Sequence, residues 1–264
     1  MNKTFFFSLL FITYLQASFV GSPASSGLVE CGAFLPNCYR FSFRLGYEAD
    51  FIFDGKMKKK TTGQRVDSFE QKNFLGTLVF NFCDRFDLYG SYGESQFETD
   101  YRIFLDSGEA FCIDSKSHYS PSWAVGTSMI LLDYKCVQVG WGIKYLEADS
   151  SLITLKQNGA DLLEGQQDSA NIHFRSLNTF FGLAFQSGFF VPYANFHLKY
   201  SKAKIASPQG PISDDGTNSI TMEEKNPYGL TVGLSITNKK QMSLTIESRV
   251  ISEEAITVSG SFRF

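Results

Sequence analysis

From residue 39 onward, apolar and polar residues alternate along most of the chain. Successive side chains of a β-strand point to opposite faces, so each alternating stretch predicts a strand with one apolar and one polar face. Ten such stretches occur, at 39–54, 74–82, 86–97, 123–132, 136–147, 171–185, 189–202, 228–236, 242–250 and 254–264. In the sixth stretch the apolar parity shifts near Asn178, which predicts a β-bulge.

The last stretch shows the two faces most clearly. Ile256, Val258, Gly260, Phe262 and Phe264 share one face, and Thr257, Ser259, Ser261 and Arg263 share the other. The first face suits hydrocarbon, the second suits water, and the length is about that of a tilted strand crossing a bilayer. Taken alone, this stretch also fits the last strand of a soluble β-sandwich.

The lengths of the links between strands favour a membrane protein. Long links at 54–73, 98–121, 148–170 and 203–226 alternate with short ones near 83, 134, 187 and 239. Outer-membrane barrels have this arrangement, with long loops outside and short turns in the periplasm. The sequence therefore predicts an all-β fold, a transmembrane antiparallel up-and-down β-barrel of about ten strands. An additional strand pair within 101–113 would raise the number to twelve or more, and the short link at 251–254 breaks the alternation.

The first 17 residues have the pattern of a secretory signal peptide. Lys3 precedes an apolar run from Phe5 to Ile12, and the small residue Ala17 marks the expected cleavage site. Residues 18–38 are then a periplasmic leader, lying beside or inside the barrel, and residues 39–264 form the barrel. No later apolar stretch is long enough for a transmembrane helix.

Composition excludes some classes of function. The chain has 24 basic and 27 acidic residues, and this small net charge of −3 argues against a nucleic-acid partner. Its 27 Phe and 12 Tyr are typical of strands and of membrane interfaces. The cysteine and histidine spacings match no zinc pattern, and we expect no metal and no cofactor.

The five cysteines are disulfide candidates, because an exported protein meets an oxidising environment. They are Cys31, Cys38, Cys83, Cys112 and Cys136. A Cys31–Cys38 bond would close a small loop, while Cys83 and Cys136 lie at the same rim and would reach each other or another protein. Cys112 lies on the outer side and is the candidate for an unpaired thiol.

Charged residues on the polar faces are expected to point into the barrel. These candidate pore-lining residues are Arg40, Arg44, Glu48, Asp50, Lys144, His197, Lys199, Glu247, Arg249 and Arg263. Two interpretations are open. The charges line a channel with weak ion selectivity, or they pair across strands and fill a narrow lumen, as side chains do in barrels of about eight strands.

Other classes of function remain to be weighed. A surface adhesin acting through loops 98–121 and 203–226 is compatible with a barrel. An outer-membrane hydrolase would need a catalytic group such as His118 with Asp114, or Asp214 with Asp215. Polar loops carry such pairs without catalysis, and no Gly-x-Ser-x-Gly or paired-histidine motif is present, so we expect no enzyme.

Several stretches resemble the chlamydial major outer membrane protein, a porin family. They are YLQA followed by GSPA at 14–24, FRLGYEADFIFD at 43–54, CDRFDLYGSYG at 83–93, WAVGTSMILLDYKC at 123–136, FFVPYANFHLKYSKAKIASPQ at 189–209 and TIESRVISEEAITVSGSFRF at 245–264. The resemblance implies an outer-membrane location, a diffusion pore for small solutes and ions, and assembly into trimers. It also implies cysteines that join a disulfide-linked envelope. The chain is shorter than the usual family member and has fewer cysteines.

The C-terminal residues complete the prediction. Phe262 and Phe264 end the last strand on its apolar face, and we expect the barrel-assembly machinery to recognise this pattern. The predicted partners are therefore outer-membrane lipid and the assembly machinery, with further copies of the chain and envelope proteins implied by the resemblance.

Overall fold

The computed structural model describes residues 22–27, 41–59, 64–104, 110–161, 163, 170–206, 219–238 and 241–264. The predicted signal peptide, Arg40, Cys31 and Cys38 lie outside these residues. A 3₁₀ turn occupies Ser25–Gly27. The strands are β1 Phe41–Gly55, β2 Met57–Lys59, β3 Gln64–Phe82, β4 Phe86–Phe104, β5 Ala110–Ser117, β6 Ser120–Tyr134, β7 Val137–Gln157, β8 Ala160–Asp161, β9 Asn171–Phe185, β10 Phe190–Ala206, β11 Ser219–Glu224, β12 Tyr228–Thr237, β13 Met242–Val250 and β14 Glu253–Arg263.

The strands close into an antiparallel ring of ten. The order is β12, β13, β14, β1, β3, β4, β6, β7, β9 and β10, and β10 pairs back with β12. Closure satisfies the backbone hydrogen bonds of every strand in the ring. The predicted up-and-down barrel is confirmed. Within the described ranges, no helix has the length and hydropathy needed to span a membrane.

Four further described strands lie outside the ring of ten: β2, β5 and β11 lengthen the wall at its outer end, and β8 pairs only with β7. β5 lies in line with β6 and pairs with the upper parts of β4 and β7. β11 lies in line with β12, and β2 follows β1. The strand pair considered as an alternative within 101–113 is present, with 101–104 paired to 110–113, but it lengthens the wall and does not raise the number of strands in the ring to twelve.

The hairpin β13–β14 is shorter than its neighbours. Its turn at Ile251 and Ser252 lies below the top of the wall, and beyond it β11 pairs directly with β2. The outer end of the barrel thus has two fewer strands than the base. This explains why the link at 251–254 is short, and it narrows the interior toward the size that side chains fill.

The outward face of the lower wall is apolar. On β10, Phe190, Phe196, Leu198 and Tyr200 are exposed, and these eleven positions from 190 to 200 correspond to a height of about 24 Å for a strand tilted by 45°. Exposed aromatic residues mark the top of this band, as expected at a membrane interface. This upper aromatic belt comprises the exposed residues Tyr92, Trp123, Tyr200 and Tyr228, together with the half-buried Tyr145, which packs against Trp123.

Above the belt the polarity of the two faces inverts. On β10 the outward residues change to Lys202 and Lys204, while the buried inward residues change from His197 and Lys199 to Ala203 and Ile205. The alternation itself continues without interruption. The same strand therefore crosses from a lipid-exposed wall with a polar interior to a water-exposed wall with an apolar interior.

The inversion corrects several predictions. Residues 171–185 pair in unbroken register with β7 and β10, so the bulge predicted near Asn178 is wrong. The parity shift arises because Phe174 faces the interior above the belt, whereas Phe181 faces outward below it. The predicted long links are also partly wrong, since β3 begins at Gln64, β4 continues to Phe104 and β7 continues to Gln157.

An apolar core fills the interior above the belt. The Phe174 ring lies 5.7 Å from Phe69 and 5.1 Å from Phe97, centroid to centroid, and all three rings are at most 2% exposed. We call this cluster the upper core. Its other members include Leu75, Tyr101, Ile113, Leu146, Leu152, Leu155, Leu163, Ile172, Ile205, Ile220 and Met222.

Candidate functional site in the barrel interior

Below the upper core, the interior holds a network of buried charges. Lys144 on β7 places its Nζ 2.6 Å from both carboxylate oxygens of Glu48 on β1, across the lumen. The two side chains are only 7% and 3% exposed. Strand alternation turns both residues inward, and closure of the ring brings them together.

A second group of charges surrounds Arg249 on β13. Its guanidinium is ion-paired with Asp50 and with Glu253, and the distance from Nε to the Glu253 carboxylate is 2.9 Å. Lys199 also pairs with Glu253. Asp50 additionally accepts a hydrogen bond of 2.7 Å from the Thr257 hydroxyl. The buried charges in this group are thus both paired and hydrogen-bonded, as buried ions require.

Two further candidates are held by neutral partners. Glu247 accepts a 2.8 Å hydrogen bond from the Tyr193 hydroxyl. The His197 ring lies 3.0 Å from the Thr231 hydroxyl and 2.8 Å from the Ser252 hydroxyl. The Ser252 contact ties the short β13–β14 turn to the inner wall.

The end with the short turns is closed by residues 22–27, which we call the N-terminal plug. Pro23 lies directly on Gly140, where an added Cβ would meet the proline carbonyl oxygen at 2.2 Å. Ala24 packs with Val191 and Tyr193. Arg44, which is paired with Asp87, donates a 2.5 Å hydrogen bond to the Ser25 carbonyl. The plug therefore occupies the lumen itself.

The nine predicted pore-lining residues that the structure describes all face the interior and are buried. Seven of them lie in ion pairs, including Arg263 with Asp84 at 2.6 Å, whereas Glu247 and His197 have the neutral partners described above. Sequence reasoning missed Asp87, Glu253 and Tyr193 as partners. Asp87 was detectable, because it alternates with Phe86 and Leu88, whereas Glu253 lies where the sequence predicts a link.

A small cavity lies between the charge network and the upper core. Its volume is about 40 Å³, which is room for a few water molecules. It is lined by charged groups such as Lys144, Lys199 and Arg249 and by Phe174 of the upper core. The cavity can hydrate the network, but it is too small for an organic solute.

Glu224 on β11 lies above the belt and faces inward. Burial raises the pKa of its carboxyl group to about 7, with Lys199 opposing and Glu253 reinforcing the shift. The neutral form is therefore favoured below that pH, because a carboxylate loses solvation in the narrow upper lumen.

The described cysteines are exposed and carry free thiols. Cys83 lies in the β3–β4 turn, Cys136 in the β6–β7 turn, and Cys112 on the outer-side strand β5. The predicted Cys31–Cys38 bond lies outside the described residues. A disulfide between Cys83 and Cys136 or to another protein stays a prediction.

Other candidate chemistry lies on the outer surface. His173 is hydrogen-bonded to Asp149 at 2.6 Å and lies near Glu147, so these three side chains form a compact acidic and imidazole cluster. His118 lies between β5 and β6 and is exposed, and Asp114 is an exposed residue of β5. Asp214 and Asp215 lie outside the described part of the chain.

The last strand has the orientation that its sequence predicts. Ile256 is exposed on the outer face, and Phe262 packs against Phe264 with ring centroids 5.1 Å apart. Arg263 points inward. The Phe264 amide donates a 3.0 Å hydrogen bond to the carbonyl oxygen of Phe43, which ties the C-terminus to the first strand.

Comparison with known proteins supports the resemblance seen in the sequence. The chain is 19% identical to the major outer membrane porin, serovar D, of Chlamydia trachomatis, and 20% identical to the serovar E porin. Each alignment covers 95% of this chain and 95% of the relative. It runs over 377 positions, against 264 residues here, so the relatives contain insertions. No protein-family model matches the chain.

Solved structures similar to the chain include outer-membrane proteins of several kinds. The protease OmpT from Escherichia coli is 10% identical, with a TM-score of 0.43 over 85% of this chain and 95% of that one. OprG from Pseudomonas aeruginosa is 11% identical, with a TM-score of 0.39 and coverages of 90% and 98%. An outer membrane channel from Pseudomonas putida F1 is 8% identical, with a TM-score of 0.44 and coverages of 92% and 100%. The chain is an outer-membrane β-barrel protein similar, over 95% of its length, to the chlamydial major outer membrane porins.

Proposed function

We propose that this protein is a closed outer-membrane barrel that acts at the cell surface through the part of its wall above the membrane. The observation that carries the proposal is the filled interior. Phe69, Phe97 and Phe174 of the upper core are buried where a channel would pass, and the ion pairs and the N-terminal plug occupy the lumen beneath them.

The height of the wall supports a role at the surface. β4 continues for twelve residues beyond Tyr92 of the belt, which corresponds to about 28 Å at a tilt of 45°. We call the part of the wall above the upper aromatic belt the outer extension. Its strands are paired with one another and enclose the upper core, so it presents a stable surface well beyond the lipid headgroups. Such a surface suits adhesion or another protein interaction.

Passive diffusion of small solutes and ions is the second candidate, favoured by the named porins among the relatives and by the charges of the lower lumen. Diffusion through the barrel would require both the upper core and the N-terminal plug to move out of the lumen. We therefore propose the pore role only for a rearranged state, and enzymatic activity is not part of the proposal.

Planar bilayer recording tests the two roles. We expect the refolded protein to insert without steady single-channel steps, while a chlamydial major outer membrane porin refolded in parallel provides the conducting control. Reproducible steps from the wild-type protein would contradict the closed barrel. In that case Arg44→Glu and Arg249→Glu should shift the reversal potential toward cations if these residues line the pore.

We further propose that the exposed thiols link the barrel to the envelope. Cys83 and Cys136 lie in turns on the periplasmic side, where another protein can approach them. Non-reducing gels of whole envelopes should show species of higher mass that are lost in Cys83→Ser and Cys136→Ser but kept in Cys112→Ser. A single monomer band in the wild type would refute the linkage. Self-association into trimers, implied by the resemblance, is a prediction that the same gels address.

A further inference from the structure

The outer extension carries opposite charges on two sides. Above the belt, the outward residues described on β9, β10, β11 and β2 include four basic side chains, Arg175, Lys202, Lys204 and Lys58, and one acidic side chain, Glu223. We call this surface the basic face. The opposite side, formed by β3, β4 and β5, has six carboxylates, Asp67, Glu70, Glu94, Glu98, Asp100 and Asp114, and three basic residues, Lys72, Arg102 and Lys116.

Strand pairing places the basic side chains next to one another. Arg175 on β9 is the direct partner of Lys202 on β10, and His173 is the partner of Lys204. Like charges directly opposite each other on one face of a sheet are destabilising. On the other side of β9, Glu147 of β7 is the direct partner of Arg175 and Asp149 is that of His173, so two carboxylates border the cluster along β7. Glu223 lies 3.5 Å from Lys202. In the described part of the chain, Arg175 and Lys204 form no ion pair.

The height of this cluster matches the lipid headgroups. Arg175 and Lys202 lie two residues above the exposed apolar residues Leu177 and Tyr200, which corresponds to about 5 Å above the hydrocarbon boundary for a tilted strand. Lys204 lies about 5 Å higher. The headgroup layer on each side of a bilayer is about 5–7 Å thick, so the cluster spans the level of lipid phosphate groups.

We propose that the basic face binds the phosphate groups of a phosphorylated glycolipid in the outer leaflet. Arg175 and Lys202 would hold one phosphate between adjacent strands, since guanidinium and ammonium groups both donate charge-assisted hydrogen bonds to phosphate oxygens. Lys204 would contact a sugar-linked phosphate further from the membrane. Leu177 and Tyr200 directly below supply the surface for the acyl chains, so headgroup and tail contacts lie on the same strands.

Binding of lipid A to the detergent-solubilised full protein, measured by native mass spectrometry, tests this site. A basic side chain near an anionic lipid surface contributes roughly fivefold in affinity. The triple variant Arg175→Gln, Lys202→Gln, Lys204→Gln should therefore bind bisphosphorylated lipid A roughly 100-fold more weakly than the wild type. The matched control Lys72→Gln, Arg102→Gln, Lys116→Gln removes the same charge from the other side and should bind like the wild type.

Three outcomes would overturn the assignment. An equal loss of lipid A affinity in the two triple variants would show that binding depends only on the net charge of the protein. Equal binding of bisphosphorylated and dephosphorylated lipid A would show that the acyl chains alone are recognised. Displacement of lipid A by millimolar inorganic phosphate would identify a general anion site. Heat-dependent migration on gels checks that both variants retain the folded barrel.

Discussion

Replacing Lys144 tests whether the lumen is closed. In Lys144→Met the ammonium group is removed, and the Glu48 carboxylate, 3% exposed, loses the partner that contacts both of its oxygens at 2.6 Å. Methionine has nearly the same length as lysine, so the interior remains filled. The substitution therefore changes charge much more than packing.

The expected loss in the free energy of unfolding follows from the burial of the Lys144–Glu48 pair. Removing one partner of a buried ion pair destabilises proteins by about 3–5 kcal/mol, because the remaining charge stays desolvated. In the double variant Glu48→Gln, Lys144→Met neither charge remains, and most of the stability should return. If the lumen were open and hydrated, the pair would behave as a surface salt bridge worth about 0–1 kcal/mol.

Urea unfolding of the reconstituted barrel gives the measurement. The fluorescence of Trp123 and Trp141, on neighbouring strands of the same wall, reports the transition. With a slope of about 2–3 kcal/mol per molar urea, the single variant should shift the midpoint by about 1–2 M. A shift below about 0.5 M, with no recovery in the double variant, would refute the closed and dry interior.

Three further outcomes are expected. The pKa of Glu224 is raised to about 7 in the folded state, so the folded state binds this proton more tightly than the unfolded state does, and stability falls as pH rises from about 4.5 to 7. Glu224→Gln should therefore be more stable than the wild type by about 3 kcal/mol at pH 8 and equally stable near pH 4. Gly140→Val should expel the N-terminal plug. In a variant whose five native cysteines are replaced by serine, Ser25→Cys should then react rapidly with maleimide when Gly140→Val is present and slowly when it is absent; equal rates would contradict the packing. Phe174→Ala should cost about 3–5 kcal/mol in urea unfolding, whereas the lipid-facing control Phe181→Ala should cost clearly less; equal costs would argue against the upper core.

The strands and their faces could be predicted from sequence because alternation is a local property. The period of two is imposed by backbone geometry at every residue. The pattern located ten strands and predicted ten inward charged residues, and the nine of these that the structure describes do face the interior. The lengths of the links then identified the membrane barrel, because long and short connections alternate around such a ring.

Partners within the interior could not be predicted in the same way. Lys144 and Glu48 are 96 positions apart, and Arg249 and Asp50 are 199 apart. Which inward residues meet depends on ring size, strand tilt and register, and these are properties of the closed sheet. The N-terminal plug has no alternating pattern at all, and its position depends on the space that Gly140 leaves.

The sequence by itself determined that this is a barrel of two-faced strands, because side chains alternate whatever surrounds them. Only the tertiary structure decided what each face meets. Alternation continues unchanged through Tyr200 and Lys202, yet the apolar face looks outward below this point and inward above it. The reason is that lipid surrounds the lower wall and water the upper wall, while the short hairpin β13–β14 narrows the ring enough for apolar side chains to fill it.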